Sequence, residues 1–365
     1  MRYRLLAPAG VAGAIALAAW VPSVTSAAAA TPTLQPISAQ ALVAKAQASH
    51  VPGFSGTVQW SANLGLPNLS ALTSGVGGQG GGHAFDPTSL LSGSHDISVW
   101  DGGPGQQRLA LPGSLSEVDV VHNGTSLYYF DSTTQKVTVF TGLGPSAGRS
   151  APSDATGTPL TPDQVAQKLL GNLDPSTAVN VVTPVYVAEQ SAYQLVLTPR
   201  ASQSTIGSVR IAVDAANGMP LRVQVFPRGS NAAALSLSFT KIDFSMPSAS
   251  NFAAPHGSTT VTKSISRGSQ VSGPPGMPGP TPSSVSSGHP TTVGSNWTTI
   301  SVLNGVSPRV AQRLDQASQP AAAGVGRVVS SNLLNALLLP DGTVLAGFVT
   351  PSALEGAASA LPSAG

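Results

Sequence analysis

The run Phe54–Leu66, FSGTVQWSANLGL, decides the fold. Its even positions are Phe54, Gly56, Val58, Trp60, Ala62, Leu64 and Leu66; its odd positions are Ser55, Thr57, Gln59, Ser61, Asn63 and Gly65. Successive side chains on a strand point to opposite faces, so this period of two makes one wall apolar and the other polar. Antiparallel sheets are commonly built this way, one face packed and one in water. Strands usually run about 5–6 residues, so alternation sustained over the whole run predicts a long strand in a large curved sheet. The concave side of such a sheet has to be filled.

Upstream, Ser38–Ser49 (SAQALVAKAQAS) reads as a helix with Ser38 as N-cap and Leu42, Val43 and Ala46 on one face, ended by Val51-Pro52-Gly53. Downstream, 67–93 breaks the alternation, and Gly75–Gly82 (GVGGQGGG) is either a flexible rim loop or an insertion without function. No GK[ST] follows it, so it is not a phosphate loop. Short β-branched and aromatic runs then read as a meander: Ile97–Trp100, Gln107–Leu111, Val118–His122, Ser126–Asp131 and Lys136–Thr141. Asn123-Gly124 predicts a type I′ turn, with positive φ at both residues. Thr161-Pro162-Asp163-Gln164 opens a second helix through N-cap, proline at the first position and a capping-box glutamine. A second strand series follows at Ala178–Ala188, Ala192–Thr198, Val209–Asp214, Leu221–Phe226 and Leu235–Phe244. Helix, strands, helix, strands predicts an α+β domain over 31–263, with helices covering one face of an antiparallel sheet.

Residues 264–296 are Pro, Gly and Ser with few large apolar side chains, which predicts a linker. Beyond it, 297–365 reads as a small α+β unit: a strand at Trp297–Leu303, a helix at Pro308–Ala317, a hairpin of Leu334–Leu339 and Thr343–Val349, and a last helix after Thr350-Pro351. A unit of that size is marginal alone and is expected to dock on the first domain.

The chain has 365 residues, of which only 9% are charged, with 39 Gly and 31 Pro. An average globular chain carries about 25% charged residues. With no cysteine, disulfides, thiolate metal sites, cysteine nucleophiles and a lipidated cysteine are excluded. Met1–Ala30 reads as a secretory signal: Arg2 and Arg4, then an apolar stretch from Leu5 to Val21, then small residues from Ser26 to Ala30. Retained, the same segment would be an anchor interrupted by Pro8 and Gly10. Its removal takes away two arginines and leaves basic and acidic residues equal, so no nucleic-acid partner is expected.

Reactive constellations are sparse. His50, His83, His95, His122, His256 and His289 stand at no metal-ligand spacing. Glu117 and Asp119 share a strand face, which reads as solvated rather than as an acid–base pair. No G-x-S-x-G elbow supports a hydrolase. Trp60, Trp100 and Tyr129 read as core or pocket lining, and Asn123-Gly124-Thr125 as a hairpin before a glycosylation site. No enzyme, cofactor or metal is expected.

The strings SGTVQWSANLGLP (55–67), YQLVLTPR (193–200), VRIAVDAANGMPLRVQVF (209–226) and SFTKIDFSMPSASNFAAPHGSTTV (238–261) resemble the LolA-like superfamily, in particular the secreted outer-membrane-lipoprotein-carrier-like proteins of actinobacteria. Phe252, Pro255, Gly257 and Val261 match that family's closing pattern, and LLPDGTVLAGFVTPSAL (338–354) is similar to a tail found on many members. The resemblance implies a curved antiparallel half-barrel, helices on its concave face, and an apolar cavity for acyl chains of lipids or lipoproteins. Related members are envelope-stress regulators that bind a membrane-bound anti-sigma factor. On this reading the groove residues are Phe54, Val58, Trp60, Leu64 and Leu66, then Val137, Val139, Leu235, Leu237 and Phe239. The expected partner is a lipid or acylated lipoprotein; the alternative is a membrane-bound envelope protein.

Overall fold

A computed structural model describes residues 31–65, 92–113, 116–142, 161–257, 259–264, 291–304 and 308–361. The signal-like segment, the Gly-rich run and nearly all of the linker lie outside the described residues, as does Leu66.

The decisive run forms β1 (Phe54–Asn63), three residues shorter than its pattern. The ladder stops because the Leu64 carbonyl accepts a 2.8 Å hydrogen bond from Asn332 N–H, far along the chain. Strands β2 (Ser92–Asp101), β3 (Gln106–Pro112), β4 (Glu117–Asn123), β5 (Ser126–Asp131) and β6 (Lys136–Thr141) make the first meander. Strands β7 (Thr177–Val187), β8 (Gln190–Pro199), β9 (Ile206–Asp214), β10 (Pro220–Pro227) and β11 (Leu235–Asp243) make the second. β1 joins them, paired with β2 on one side and β11 on the other. A strand missed in the sequence, β12 (Thr259–Ser264), adds itself parallel to β6. The result is a curved, unclosed sheet of twelve strands, antiparallel except at that edge.

Two local departures have clear causes. In the β4–β5 hairpin Asn123 pairs with Ser126, so the loop residues are Gly124 and Thr125. Only Gly124 takes a positive φ, +63°, the pattern of a type II′ turn with glycine first, not the expected type I′. Asn123 is thereby free to donate its side-chain amide to Phe252 O at 3.0 Å, which pins the 3-10 turn Ala249–Phe252. The second departure is a bulge. β1 pairs Thr57 with Lys241 but Val58 with Phe239, leaving Thr240 as the extra residue on β11. The slip is written in the sequence: the apolar positions run Leu235, Leu237, Phe239, then Ile242 and Phe244. Gly56 sits opposite Ile242, where an added Cβ would lie 2.3 Å from Lys241 O.

The helices α1 (Ala39–Gln47) and α2 (Pro162–Gly171) cover part of the concave face. Ser38 caps α1 as expected, its hydroxyl accepting from Ala41 N–H at 3.1 Å, whereas Thr161 makes no side-chain cap bond to α2. Leu42 and Ala46 of α1 and Ala166 and Leu170 of α2 bury themselves against Leu195, Leu197, Val209, Ile211, Val213 and Val223. The helices are also stitched together: Gln47 Nε2 donates to Leu170 O (3.0 Å) and Gln167 Nε2 to Ala46 O (2.8 Å).

The C-terminal segment builds a second sheet of six short strands, β13 (Thr291–Val293), β14 (Ile300–Leu303), β15 (Gln319–Pro320), β16 (Arg327–Val329), β17 (Asn335–Leu338) and β18 (Val344–Gly347), with α3 (Pro308–Ala317) and α4 (Pro351–Ser359). Of the strand expected at Trp297–Leu303, only the second half forms; Asn296–Thr298 is a 3-10 turn. That turn lets Trp297 Nε1 donate to Thr177 Oγ1 of β7 at 2.7 Å. The segment is fastened to the large sheet at further points. Thr205 N–H donates to Phe348 O (3.0 Å), Thr350 N–H donates to Gln203 O (2.8 Å), and Ser204 and Val349 form an antiparallel bridge. Leu333 is fully buried in the cluster under α1 and α2, beside Leu64 and Ile206.

Candidate functional site

Cross-strand partners share a face, so the register assigns every wall residue. Phe54, Val58 and Trp60 of β1 share the concave face with Leu235, Leu237 and Phe239 of β11. The same face continues through Ile97 and Val99, Leu109 and Leu111, Val118 and Val120, then Leu127 and Tyr129 to Phe140. Phe54 and Phe239 meet edge to face with ring centroids 5.8 Å apart. Phe54, Val58, Leu237 and Phe239 are buried, while Trp60, Leu109 and Leu127 are only partly so. Leu64, just beyond β1, and Leu235 belong to the neighbouring cluster under the helices.

Val137 and Val139 are not brought to this wall. They pair with Phe130 and Tyr128, whose side chains lie on the opposite face, and on β6 it is Thr138 and Phe140 that face the concave side. That opposite face also carries an ion pair missed in the sequence. Asp119, read as solvated, is buried and takes two bonds from Arg108, Nε to Oδ1 at 3.2 Å and Nη2 to Oδ2 at 2.9 Å. The guanidinium lies 5.1 Å from the Trp100 ring centre. Glu117 is exposed and takes no part, so no carboxylate pair forms there.

A cavity of about 300 Å³ opens at one end of the concave face. Its floor is Val51, Phe54, Met219 and Pro220; its polar walls are Gln47 at the end of α1 with Ser49 and His50 just beyond it, Asp101 and Gln107 of β2 and β3, and Asp163, Gln164 and Gln167 of α2. Phe54, Asp101 and Gln107 stand in one cross-strand row, which sets two polar side chains beside the apolar wall. Asp101 is oriented by Gly103 N–H at 2.7 Å and Gln107 Nε2 at 3.3 Å. Asp163 sits in the first turn of α2 with its Oδ1 buried. Burial pushes the Asp163 carboxyl above the ordinary aspartate range, opposed by hydrogen bonding from the Thr161 side chain and the first-turn backbone and helped by the negative charge of Asp101. Further along that row His122 is buried, and burial holds it below the usual imidazole value against the opposing pull of the Gly124 backbone. Tyr129 is pushed up to about 12 by burial and by Asp131.

Of the nine described residues expected in a groove, only Phe54 lines this cavity. The polar residues were missed because they converge from four separate segments; only Asp163, a charged residue in a mostly uncharged helix, stands out in the sequence, and there it reads as a helix-start signal. No cluster of three or more His, Asp or Glu able to hold a metal exists among the described residues, and none of their helices is long and apolar enough to cross a membrane.

No protein-family model and no curated protein sequence matches the chain. Solved structures do. The complex of Pseudomonas aeruginosa MucA/MucB is similar at 15% identity and a TM-score of 0.39, covering 87% of this chain and 94% of that one. A LolA superfamily protein from Nitrosomonas europaea is similar at 13% identity and a TM-score of 0.25, covering 60% and 98%. An uncharacterized conserved protein from Thermus thermophilus is similar at 11% identity and a TM-score of 0.33, covering 62% and 99%. They include the family that the sequence resembles, and likenesses this distant concern the fold alone.

Proposed function

We propose that the protein is a secreted, non-enzymatic carrier that binds acyl chains of lipids or lipoproteins on the concave face of its sheet. The observation that supports this is the wall itself. It is apolar across β1 to β5 and β11, and three of its members, Trp60, Leu109 and Leu127, keep apolar surface only partly covered. A ligand laid there needs no charge. Each buried methylene contributes roughly 0.8 kcal/mol, so a 16-carbon chain offers about 12 kcal/mol before ordering costs. The mature protein is extracted with organic solvent and then offered a fluorescent fatty acid; stoichiometric lipid, or saturable uptake lost in Trp60→Asp with the fold retained, is the expected result. A protein that carries no lipid and takes up none is not a carrier.

A second reading, a regulatory module for a membrane-bound envelope protein, is favoured by the strand that ends the sheet among the described residues. β7 ends the strand order, and it exposes Val182 and Tyr186 at 41% and 48% of their surface. Crosslinking from β7 in the native envelope should then recover a membrane protein; recovery of none argues for the carrier alone.

A further inference from the structure

Arg222 of β10 and Arg210 of β9 alternate along their strands with Val223 and Ile211, which are buried under α1 and α2, so both arginines belong to the outer face of the sheet. Arg222 pairs with Ala212 and Arg210 with Gln224, which makes the two arginines diagonal cross-strand neighbours, a spacing of about 7–8 Å. The same diagonal on β3 and β4 holds Arg108 and Asp119, which close into an ion pair. There the guanidinium of Arg108 rests on Trp100; here that of Arg210 rests on Phe226, 4.2 Å from the ring centre. The two sites differ in one respect: Arg222 stands where the first has its carboxylate. Both arginines are half-buried, and neither is ion-paired with a described residue. Arg222 Nη2 donates to Oε1 of the buried Gln194 at 3.3 Å. The other cross-strand partners, Ser238 for Arg222 and Val196 for Arg210, are uncharged. Asp214, next along β9 on this face, accepts at Oδ1 from the N–H groups of Ala216 and Asn217, both at 2.8 Å. Burial and the Arg210 charge both work against the Arg222 cation. Like charges fixed on neighbouring strands repel, and an anion between them removes that cost.

We propose that Arg210 and Arg222 form a phosphate-binding site on the outer face, with one oxyanion bridging the two guanidiniums. Each guanidinium presents a planar fork of N–H donors that matches a pair of phosphate oxygens, so one phosphate serves both. Gln194 and Phe226 already hold the two forks, so little side-chain freedom is lost on binding. The phosphate can be a free anion or part of a lipid headgroup. The site lies across the sheet from the apolar wall and does not depend on acyl-chain binding.

The test follows the arginine Nε–H resonances of the mature protein during titration with sodium phosphate, and separately with glycerophosphoglycerol, a phospholipid headgroup without its chains, at constant ionic strength. The resonances of Arg210 and Arg222 should shift together and saturably, and affinity should fall at least about tenfold in Arg222→Gln. Headgroup binding at least as tight as that of phosphate assigns a lipid source; weaker headgroup binding assigns a free phosphate. Should Arg222→Gln fail to fold, Arg222→Asp replaces it, since it repeats the pairing of Arg108 with Asp119. Phosphate should raise the melting temperature of the wild type and leave that of Arg222→Asp unchanged. No saturable shift of the two arginines with either probe, an affinity unchanged in Arg222→Gln, or an Arg222→Asp variant stabilised by phosphate as much as the wild type overturns the proposal.

Discussion

Leu333→Ala tests whether the C-terminal sheet is an integral part of the fold. Leu333 belongs to the second sheet in sequence, yet its side chain has no exposed surface and lies in the cluster made by α1, α2, β8, β9 and β10. Removing the Cγ and both Cδ carbons from such a site costs the transfer energy plus a cavity, about 2–5 kcal/mol. The lower half of that range would apply if α1 or Leu64 could move into the space. Leu64 is held, however, because its carbonyl bonds to Asn332 N–H, the residue next to the deleted side chain. A cost of about 3 kcal/mol is therefore expected. With an unfolding entropy of about 2.1 cal/mol/K per residue, that loss lowers a single cooperative melt by roughly 5 °C. Differential scanning calorimetry reads both the shift and its shape. A separate early transition with an unmoved main peak, or a loss below about 0.5 kcal/mol, would refute the idea that the two sheets share one core.

Four further outcomes are expected. Asp163 has a folded value above its unfolded one, so its contribution to stability is lost as pH rises through the folded value; Asp163→Asn should melt higher than wild type at neutral pH, and the gap should close in acid. His122 has the opposite sense. Its lowered folded value means that stability falls as pH drops through the unfolded value near 6.5, and His122→Phe should flatten that limb of the melting profile. Arg108→Ala leaves Asp119 buried and unpaired, at a cost of about 3 kcal/mol in urea denaturation. Val139→Ser should leave fatty-acid uptake unchanged, because Val139 is on the face away from the wall.

Much of this fold was legible in its pattern. β5, β6 and α3 have the boundaries their sequences predict, since each is a short run closed by turn residues. The even face of β1 reads directly as the packed one, because its odd face, Ser55, Thr57, Gln59, Ser61 and Asn63, carries only polar residues. On β6 the same logic fails. Lys136-Val137-Thr138-Val139-Phe140 has apolar residues at both parities, so alternation names no face, and the paired valines outweighed the single Phe140 that points inward. β1 was read too long because Leu64 continues the apolar phase after its backbone has left the ladder to bond with Asn332. The cavity was out of reach for another reason: its acceptors come from segments more than a hundred residues apart, and glutamines in helices are common enough to signal nothing.

The strand order has a kinetic meaning. Each meander pairs neighbours in sequence, but the middle of the sheet depends on β1 meeting β11, Val58 against Phe239. Closing a chain over that separation pays its loop entropy before any contact rewards it. The two halves can therefore form early and by themselves, while their seam forms late and sets the folding rate. Once made, the seam is not weak: β1 and β11 share eight paired positions across the Thr240 bulge, against four between β10 and β11, so the cost of joining the halves falls on folding and not on the finished sheet.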